Sequence, residues 1–259
     1  MPAGPGRTRV MRTRSAGDAV SVHLRESGRV TSETSAHYLG HRKRLRERFL
    51  KAGTEGLADY EVVELILTLA IPRSDVKKPA KDLIARFGNL NGILDAEIEE
   101  LETVKGIGSV TPVALKIIKA AATLYLQQSS EGRDALADPS RLAEFWRMRI
   151  GSLPNEVFQV GYLDSGHRLL RDGIESLEEG TVDRATIYPR RVVESALRRK
   201  AAALVLAHNH PNGQLHPSEQ DKLLTRAVVL AAETVGVRIV DHLIVSASDY
   251  FSFRKAGLL

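Results

Sequence analysis

Residues 203–221 have the sequence ALVLAHNHPNGQLHPSEQD, and this stretch decides how the second half of the chain folds. The apolar run at 203–207 predicts a buried strand, and the Pro-, Asn- and Gly-containing residues 211–217 predict a loop. Ser218 has the side chain of a helix N-cap, so we expect a helix to begin directly after it. The stretch therefore predicts a buried strand, a seven-residue loop and a helix start.

Two histidines and an aspartate lie at the ends of these predicted elements. His208 and His210 are two residues apart, so both side chains leave the same face of the strand. Asp221 lies three residues into the helix, whose start directs the carboxylate back toward the strand end. Two imidazoles and one carboxylate suit Zn²⁺ and leave a fourth position for water, as in a catalytic zinc site. His216 is predicted to be exposed, and His242 to be a locally satisfied strand residue.

The elements on either side alternate between strands and helices, which is typical of an α/β domain. The predicted strands cover 157–163, 168–178, 203–207 and 237–245, and the predicted helices cover 140–150, 189–200 and 219–235.

The first half of the chain has apolar residues at three- and four-residue spacing, which predicts helices. These helices are expected at 60–71, 76–87, 95–103 and 111–126. The resulting domain division is a basic disordered arm at 1–38, a helical domain at 39–127, a polar linker at 128–139 and a mixed domain at 140–259.

The composition excludes several classes of protein. The chain has 259 residues and no cysteine, so disulfide scaffolds, iron–sulfur clusters, thiolate zinc sites and cysteine nucleophiles are ruled out. No apolar run approaches the ~18 residues that a membrane span needs. Without a secretory signal, we expect a cytoplasmic protein that does not contact membranes.

Positive charge is concentrated at one end of the chain. Residues 1–51 hold 12 Lys and Arg against 4 Asp and Glu, a local net charge of +8 within a total of +5. A basic end of this kind can bind nucleic acid, serve as a targeting segment or be a solvated tail.

The motif His208-x-His210-x₇-Ser218-x₂-Asp221 resembles the JAMM motif of JAB/MPN metalloproteases. The flanking residues resemble the RadC branch of that family, and the resemblance covers about 41–259. The stretches that carry it are Gly180-Thr181-Val182-Asp183, Ile187-Tyr188-Pro189-Arg190 and Asp241-His242-Leu243-Ile244-Val245. It implies a mixed α/β domain with helices around a curved central sheet, and one Zn²⁺ per chain on the two histidines and the aspartate.

The resemblance also implies a catalytic glutamate at the start of an earlier strand, a position that Glu156 occupies. Its expected role is to accept a proton from the zinc-bound water and deliver it to the leaving amine. Ser218 is expected to bind the oxyanion or to orient Asp221. Glu179 is the competing candidate for the base.

The segment Val104-Lys105-Gly106-Ile107-Gly108, between two predicted helices, resembles a helix-hairpin-helix. Such a hairpin implies non-sequence-specific DNA contact by residues 105–108, because glycines and helix N–H groups can approach a phosphate. The alternative is a tight turn without a ligand.

Three functions follow from these patterns. The first is a zinc metallohydrolase that cleaves a peptide or isopeptide bond and associates with DNA through its helical domain. The second is a DNA-binding accessory protein, in repair or recombination, with a structural or vestigial zinc site. The third is a nuclease or phosphoesterase that uses the same metal on a phosphodiester. The substrate is not encoded in a recognisable motif, and a homodimer is expected because MPN domains often pair.

Overall fold

The computed structural model describes residues 31–179 and 187–259, with the side chains of residues 40–177 and 187–259. The chain divides into two compact units, Met1–His41 and Arg42–Leu259. The first helix, α1, begins at Thr31, within the segment predicted as a basic disordered arm. The rest of that predicted arm, residues 1–30, lies outside the described residues.

The N-terminal region is helical. Its elements are α1 (Thr31–Ala52), a 3₁₀ turn (Gly53–Gly56), α2 (Asp59–Ala70), α3 (Lys77–Phe87), α4 (Leu90–Asp95), α5 (Ile98–Glu102) and α6 (Val110–Ser130). The helix predicted at 95–103 forms as the shorter α5, and the prediction missed α4, which precedes it. Ala96 and Glu97 have extended backbone at the break. This corner lets Ile93 and Leu101, one from each helix, enter the same buried cluster.

The C-terminal region is a mixed α/β domain. Its elements are α7 (Pro139–Ile150), β1 (Val157–Leu163), β2 (Leu169–Glu179), α8 (Pro189–Arg198), β3 (Ala203–Asn209), α9 (Glu219–Glu233), β4 (Arg238–Val245) and β5 (Tyr250–Ser252). The strands form one five-stranded sheet in the order β2-β1-β3-β4-β5. β3 and β4 are parallel, and the other pairs are antiparallel. A helical region followed by a mixed α/β domain is therefore confirmed.

The two central strands, β1 and β3, are buried along their whole length because apolar clusters cover both faces of the sheet. Val205 of β3 belongs to the cluster that contains Trp146 of α7. The adjacent Leu204 belongs to the cluster that contains Val192 of α8 and Val228 of α9. Alternate residues of β3 thus face opposite helical layers, as the pleat requires.

Two features of the domain were absent from the sequence prediction. The short strand β5 extends the sheet beyond β4, and Glu131 and Asp134 form isolated β-bridges with residues 169 and 168 next to β2. None of the helices in the described ranges is long and apolar enough to cross a membrane.

Candidate metal centre

The end of β3 brings two histidines together. His208 is almost completely buried, with 1% of its surface exposed, and His210 follows the last residue of the strand. Because these side chains leave the same face, their Nε2 atoms lie only 3.0 Å apart. Two ring nitrogens at this distance need a proton or a metal ion between them, since two lone pairs would repel each other.

Asp221 reaches the same point from the start of α9. Ser218 is the N-cap of this helix: its hydroxyl accepts a hydrogen bond from the Asp221 main-chain nitrogen. The Asp221 carboxylate accepts hydrogen bonds of 2.6 Å from the Ser218 nitrogen and from the Ser218 hydroxyl. This reciprocal capping box holds the carboxylate 3.3 Å from His208 Nε2 and 3.5 Å from His210 Nε2.

The outer nitrogen of His210 is held by the loop that follows it. His210 Nδ1 lies 2.7 Å from the main-chain oxygen of Gln214. A carbonyl oxygen can only accept, so Nδ1 carries the proton of this bond. In the neutral ring, Nε2 is therefore left with a lone pair directed at the cluster.

The outer nitrogen of His208 contacts a third histidine, His242 of β4. His208 Nδ1 lies 2.9 Å from His242 Nε2, and His242 Nδ1 lies 2.7 Å from the hydroxyl of Thr225 in α9. The His242 ring is fully buried; it stacks on Phe253 and meets Phe158 edge-on. His242 is a strand residue outside the ligand cluster, as predicted, but its ring partners lie on another strand and on a helix rather than close by in the sequence.

The electrostatic environment keeps the carboxylate charged. Burial would raise the pKa of Asp221, but the adjacent imidazoles of His208 and His210 outweigh this effect and hold the pKa well below its usual range. Hydrogen bonding with Asp221 raises the pKa of His210, although burial opposes this effect. Burial lowers the pKa of His242 well below the ordinary value, so that ring is neutral. The cluster thus presents an ionised carboxylate beside two imidazoles.

Glu156 lies next to this cluster, directly before β1. Phe158 of β1 pairs with His208 of β3 in an antiparallel register, which places Glu156 opposite His210. Side chains alternate along a strand, so Glu156 is on the same face as Phe158 and the two histidines. The negative charge of Glu156 contributes to the raised pKa of His210.

The segment that carries Glu156 is fastened by Asn209, a fully buried residue between the two histidines. Its side-chain oxygen accepts a 2.8 Å hydrogen bond from the main-chain nitrogen of Val157. Its side-chain nitrogen donates to the main-chain oxygens of Leu153 and Asn155, at 3.2 and 3.0 Å. This role of Asn209 was not predicted from the sequence, although an amide inside a strand that is buried on both faces indicates an unusual need for hydrogen-bond partners.

Ser218 and Glu179 are the two remaining candidate residues of the predicted site. The Ser218 hydroxyl contacts Asp221, as an orienting residue would. Glu179 ends β2, where its main chain pairs with Val157, and its side chain lies outside the described part of the chain.

The Lys105–Gly108 hairpin connects α5 to α6. The Ile107 nitrogen donates a 3.0 Å hydrogen bond to the Val104 oxygen. Gly106 has a φ of +92°, and a Cβ there would lie 2.9 Å from Cγ of Pro79. Ile107 is buried in the helical core, whereas Lys105 is exposed. Any phosphate contact by this segment would therefore use Lys105 and main-chain groups.

Two lysines of α6, close to the hairpin in sequence, have partners within the protein. Lys116 donates to the main-chain oxygens of Leu94 and Asp95, at 3.1 and 3.2 Å. Lys119 forms a 2.6 Å ion pair with the Asp95 carboxylate and donates to Ser152. These lysines neutralise the carboxyl-terminal end of α4 and do not form a free basic patch.

The donor set of the cluster fits a zinc ion. One ligand atom each from His208, His210 and Asp221 lies within 4.8 Å of the others, and no other cluster of three such groups is found among the described residues. Imidazole nitrogen and carboxylate oxygen are zinc ligands, and three protein ligands with one open position characterise catalytic sites.

Comparison with known protein families assigns both the helical region and the mixed α/β domain that carries the His-His-Asp cluster. Residues 136–258 match the family model described as RadC-like JAB domain, and residues 37–113 match the model described as UPF0758 N-terminal. A UPF0758 protein of Ruegeria pomeroyi is 40% identical over 219 residues, 85% of this chain and 97% of that protein. A UPF0758 protein of Burkholderia cenocepacia is 38% identical over 217 residues, 84% of each chain. The chain therefore belongs to the UPF0758 family, with a RadC-like JAB domain, as the sequence motif predicted.

Proposed function

We propose that this protein is a zinc-dependent hydrolase of the JAMM type that cleaves a peptide or isopeptide bond. The observation that carries the proposal is the convergence of His208 Nε2, His210 Nε2 and the Asp221 carboxylate beside Glu156. JAB-domain membership supports the same assignment. Zinc held by these three residues would supply a Lewis acid that polarises a carbonyl and lowers the pKa of a bound water to about 7.

The chain's own residues would then handle the proton and the substrate. Glu156 lies opposite His210, where its carboxylate can accept a proton from the attacking water and return it to the leaving amine. Ser218 holds the Asp221 carboxylate through its nitrogen and hydroxyl. Burial of His208 and Asp221 limits the access of bulk water and strengthens electrostatic interactions at the site.

Two competing functions receive less support. Structural zinc sites are usually closed by four protein ligands, whereas the described cluster has three. Nucleases more often use two metals bridged by carboxylates, and a second metal cluster is not found in the described part of the chain.

The direct test is zinc content per chain, followed by hydrolysis of a linear peptide and of a branched peptide linked through a lysine ε-amide. Wild type should hold about one zinc and cleave at least one of the two substrates, whereas Asp221→Ala should do neither. Asp82→Ala is the matched control, because Asp82 forms an ion pair with Lys78 on the surface of α3. If wild type takes up no zinc on titration, the hydrolase proposal fails and the DNA-binding accessory protein becomes the favoured hypothesis. Plasmid cuts that Asp221→Ala prevents would favour the nuclease.

We also propose that the helical region contacts DNA without sequence specificity through the Lys105–Gly108 hairpin. The supporting observation is exposed Lys105 beside Gly106, close to the start of α6, where Ser109 makes no side-chain cap. Binding of a short duplex should weaken several-fold in Lys105→Glu, with a salt slope lower by about 1. Lys200→Glu makes the same charge change at an exposed position of the other region. Equal weakening by both variants would contradict a specific role for the hairpin.

A further inference from the structure

Three contacts connect the buried nitrogen of His208 to the main chain of another metal ligand. They run from His208 Nδ1 to His242 Nε2, from His242 Nδ1 to the Thr225 hydroxyl, and from that hydroxyl to the Asp221 carbonyl oxygen. All four residues are at least nine-tenths buried. The series therefore begins at one proposed ligand and ends at the main chain of another.

The direction of each hydrogen bond can be worked out from the Asp221 end. The Thr225 oxygen lies 2.5 Å from the Asp221 carbonyl oxygen, and only the threonine hydroxyl can place a proton between them. That hydroxyl oxygen must then accept from His242 Nδ1–H. The His242 ring is fully buried against Phe158 and Phe253, an apolar setting that favours a ring with a single proton. With that proton on Nδ1, His242 Nε2 accepts from His208 Nδ1–H.

We propose that Thr225 and His242 are positioning residues that fix His208 in the tautomer with its proton on Nδ1, which leaves the Nε2 lone pair free for the metal. This inference rests on the proposed metal site and adds two residues that act through a ligand rather than on the ion. Partners of this kind orient a ligating histidine, and their loss typically lowers metal affinity 10- to 100-fold.

The hydroxyl of Thr225 determines which atom donates in each of the three hydrogen bonds. Without it, His242 Nδ1–H has no acceptor, and the ring gains a hydrogen bond by moving its proton to Nε2. His242 would then donate to His208 Nδ1, and the His208 ring proton would move to Nε2, where it blocks the metal. A change of one hydroxyl, two side chains away from the ion, should therefore weaken metal binding.

The test combines two readouts on the full chain. Long-range ¹⁵N–¹H correlation spectra of the zinc-free protein at about pH 8, where an ordinary histidine is neutral, report the His208 tautomer. Chelator competition measures zinc affinity. Wild type should show Nδ1–H at His208. Thr225→Val should lose that preference and bind zinc about 10- to 100-fold more weakly, and Thr225→Ser should restore both properties.

Thr123→Val is the matched control, because the Thr123 hydroxyl makes the same helical bond to the main-chain oxygen four residues earlier but contacts no ring. Wild type with Nε2–H at His208, or a Thr225→Val protein with the wild-type tautomer and zinc affinity, would overturn the inference. If wild type takes up no zinc but shows Nδ1–H, the proposed function fails while the tautomer assignment stands.

Discussion

The Val157 main-chain nitrogen donates a 2.8 Å hydrogen bond to the side-chain oxygen of Asn209. This bond joins the first residue of β1 to the residue between the two metal-site histidines. The Asn209 amide also donates to the carbonyl of Asn155, so it grips the main chain on both sides of Glu156. The proposed base and the proposed ligands are thus held in one hydrogen-bonded frame.

Replacing Asn209 should disturb this frame without removing a ligand. We expect Asn209→Ala to keep its zinc but to lose about 10- to 100-fold in turnover, because small displacements of a catalytic group are costly. It should also lose about 2 to 5 kcal/mol of unfolding free energy, since one N–H and two carbonyl groups lose their partner. Zinc content, turnover and urea unfolding measure the three effects. Exposed Asn91→Ala is the control, and full turnover in Asn209→Ala would contradict the role.

Glu156→Gln tests the proton transfer itself. The variant should bind zinc normally, because Glu156 is not one of the three clustered ligands. Its turnover should fall about 10²- to 10⁴-fold, the range for loss of a general base. Glu219→Gln removes a charge from the first turn of α9, where Glu219 pairs with Lys222, and should leave turnover unchanged. If Glu156→Gln retains full activity, the role of base passes to Glu179, which Glu179→Gln would then test.

Two glycines in the Lys105–Gly108 hairpin should respond differently to alanine. Gly106→Ala should reduce the free energy of unfolding by about 1 to 3 kcal/mol, because its φ of +92° is unfavourable for a side chain and its Cβ would meet Pro79. Gly108→Ala should have little effect, since the space around its Cβ is open. Chemical denaturation of both variants checks the contrast, and equal destabilisation would show that the turn geometry is wrong.

Glu175 of β2 should make stability depend on pH. Burial would raise its pKa, but hydrogen bonds from Ser195 and Tyr162 and the charges of Arg199 and Arg198 keep it below the ordinary value. A depressed pKa in the folded state stabilises the protein above the unfolded value of about 4.3. That contribution is lost as the pH falls through the folded value.

Glu175→Gln should therefore lower the free energy of unfolding by about 1 to 2 kcal/mol at neutral pH. The difference from wild type should shrink on acidification below about pH 4, where the unfolded carboxylate becomes protonated. Urea unfolding at both pH values measures it. A difference that stays constant with pH would show that packing, rather than charge, accounts for the effect.

The convergence of His208, His210 and Asp221 could be predicted because each step depends on local sequence. The pleat fixes the direction of residues two apart, and Ser218 marks where α9 begins. The role of His242 could not be predicted in this way. It depends on the parallel pairing of β3 with β4, which sets His242 opposite Leu206, and on the packing of α9 over both strands.

The same distinction explains the errors in the helical region. Spacing of apolar residues predicted the helix at 95–103, which forms as α5, but it missed the short helix α4, which also contributes to the buried cluster. The sequence alone does not show which lysines of α6 remain free to bind a partner. The folded structure shows that Lys116 donates to a main-chain oxygen at the end of α4 and that Lys119 pairs with the Asp95 carboxylate.

The two histidines of the candidate metal centre are held by different kinds of hydrogen-bond partner. His208 is secured by buried side chains, whereas His210 depends on the main-chain oxygen of exposed Gln214. Movement of the 211–217 loop would therefore loosen His210 and leave His208 and Asp221 in place. Of the three proposed ligands, His210 is thus the one whose position depends on the conformation of a surface loop.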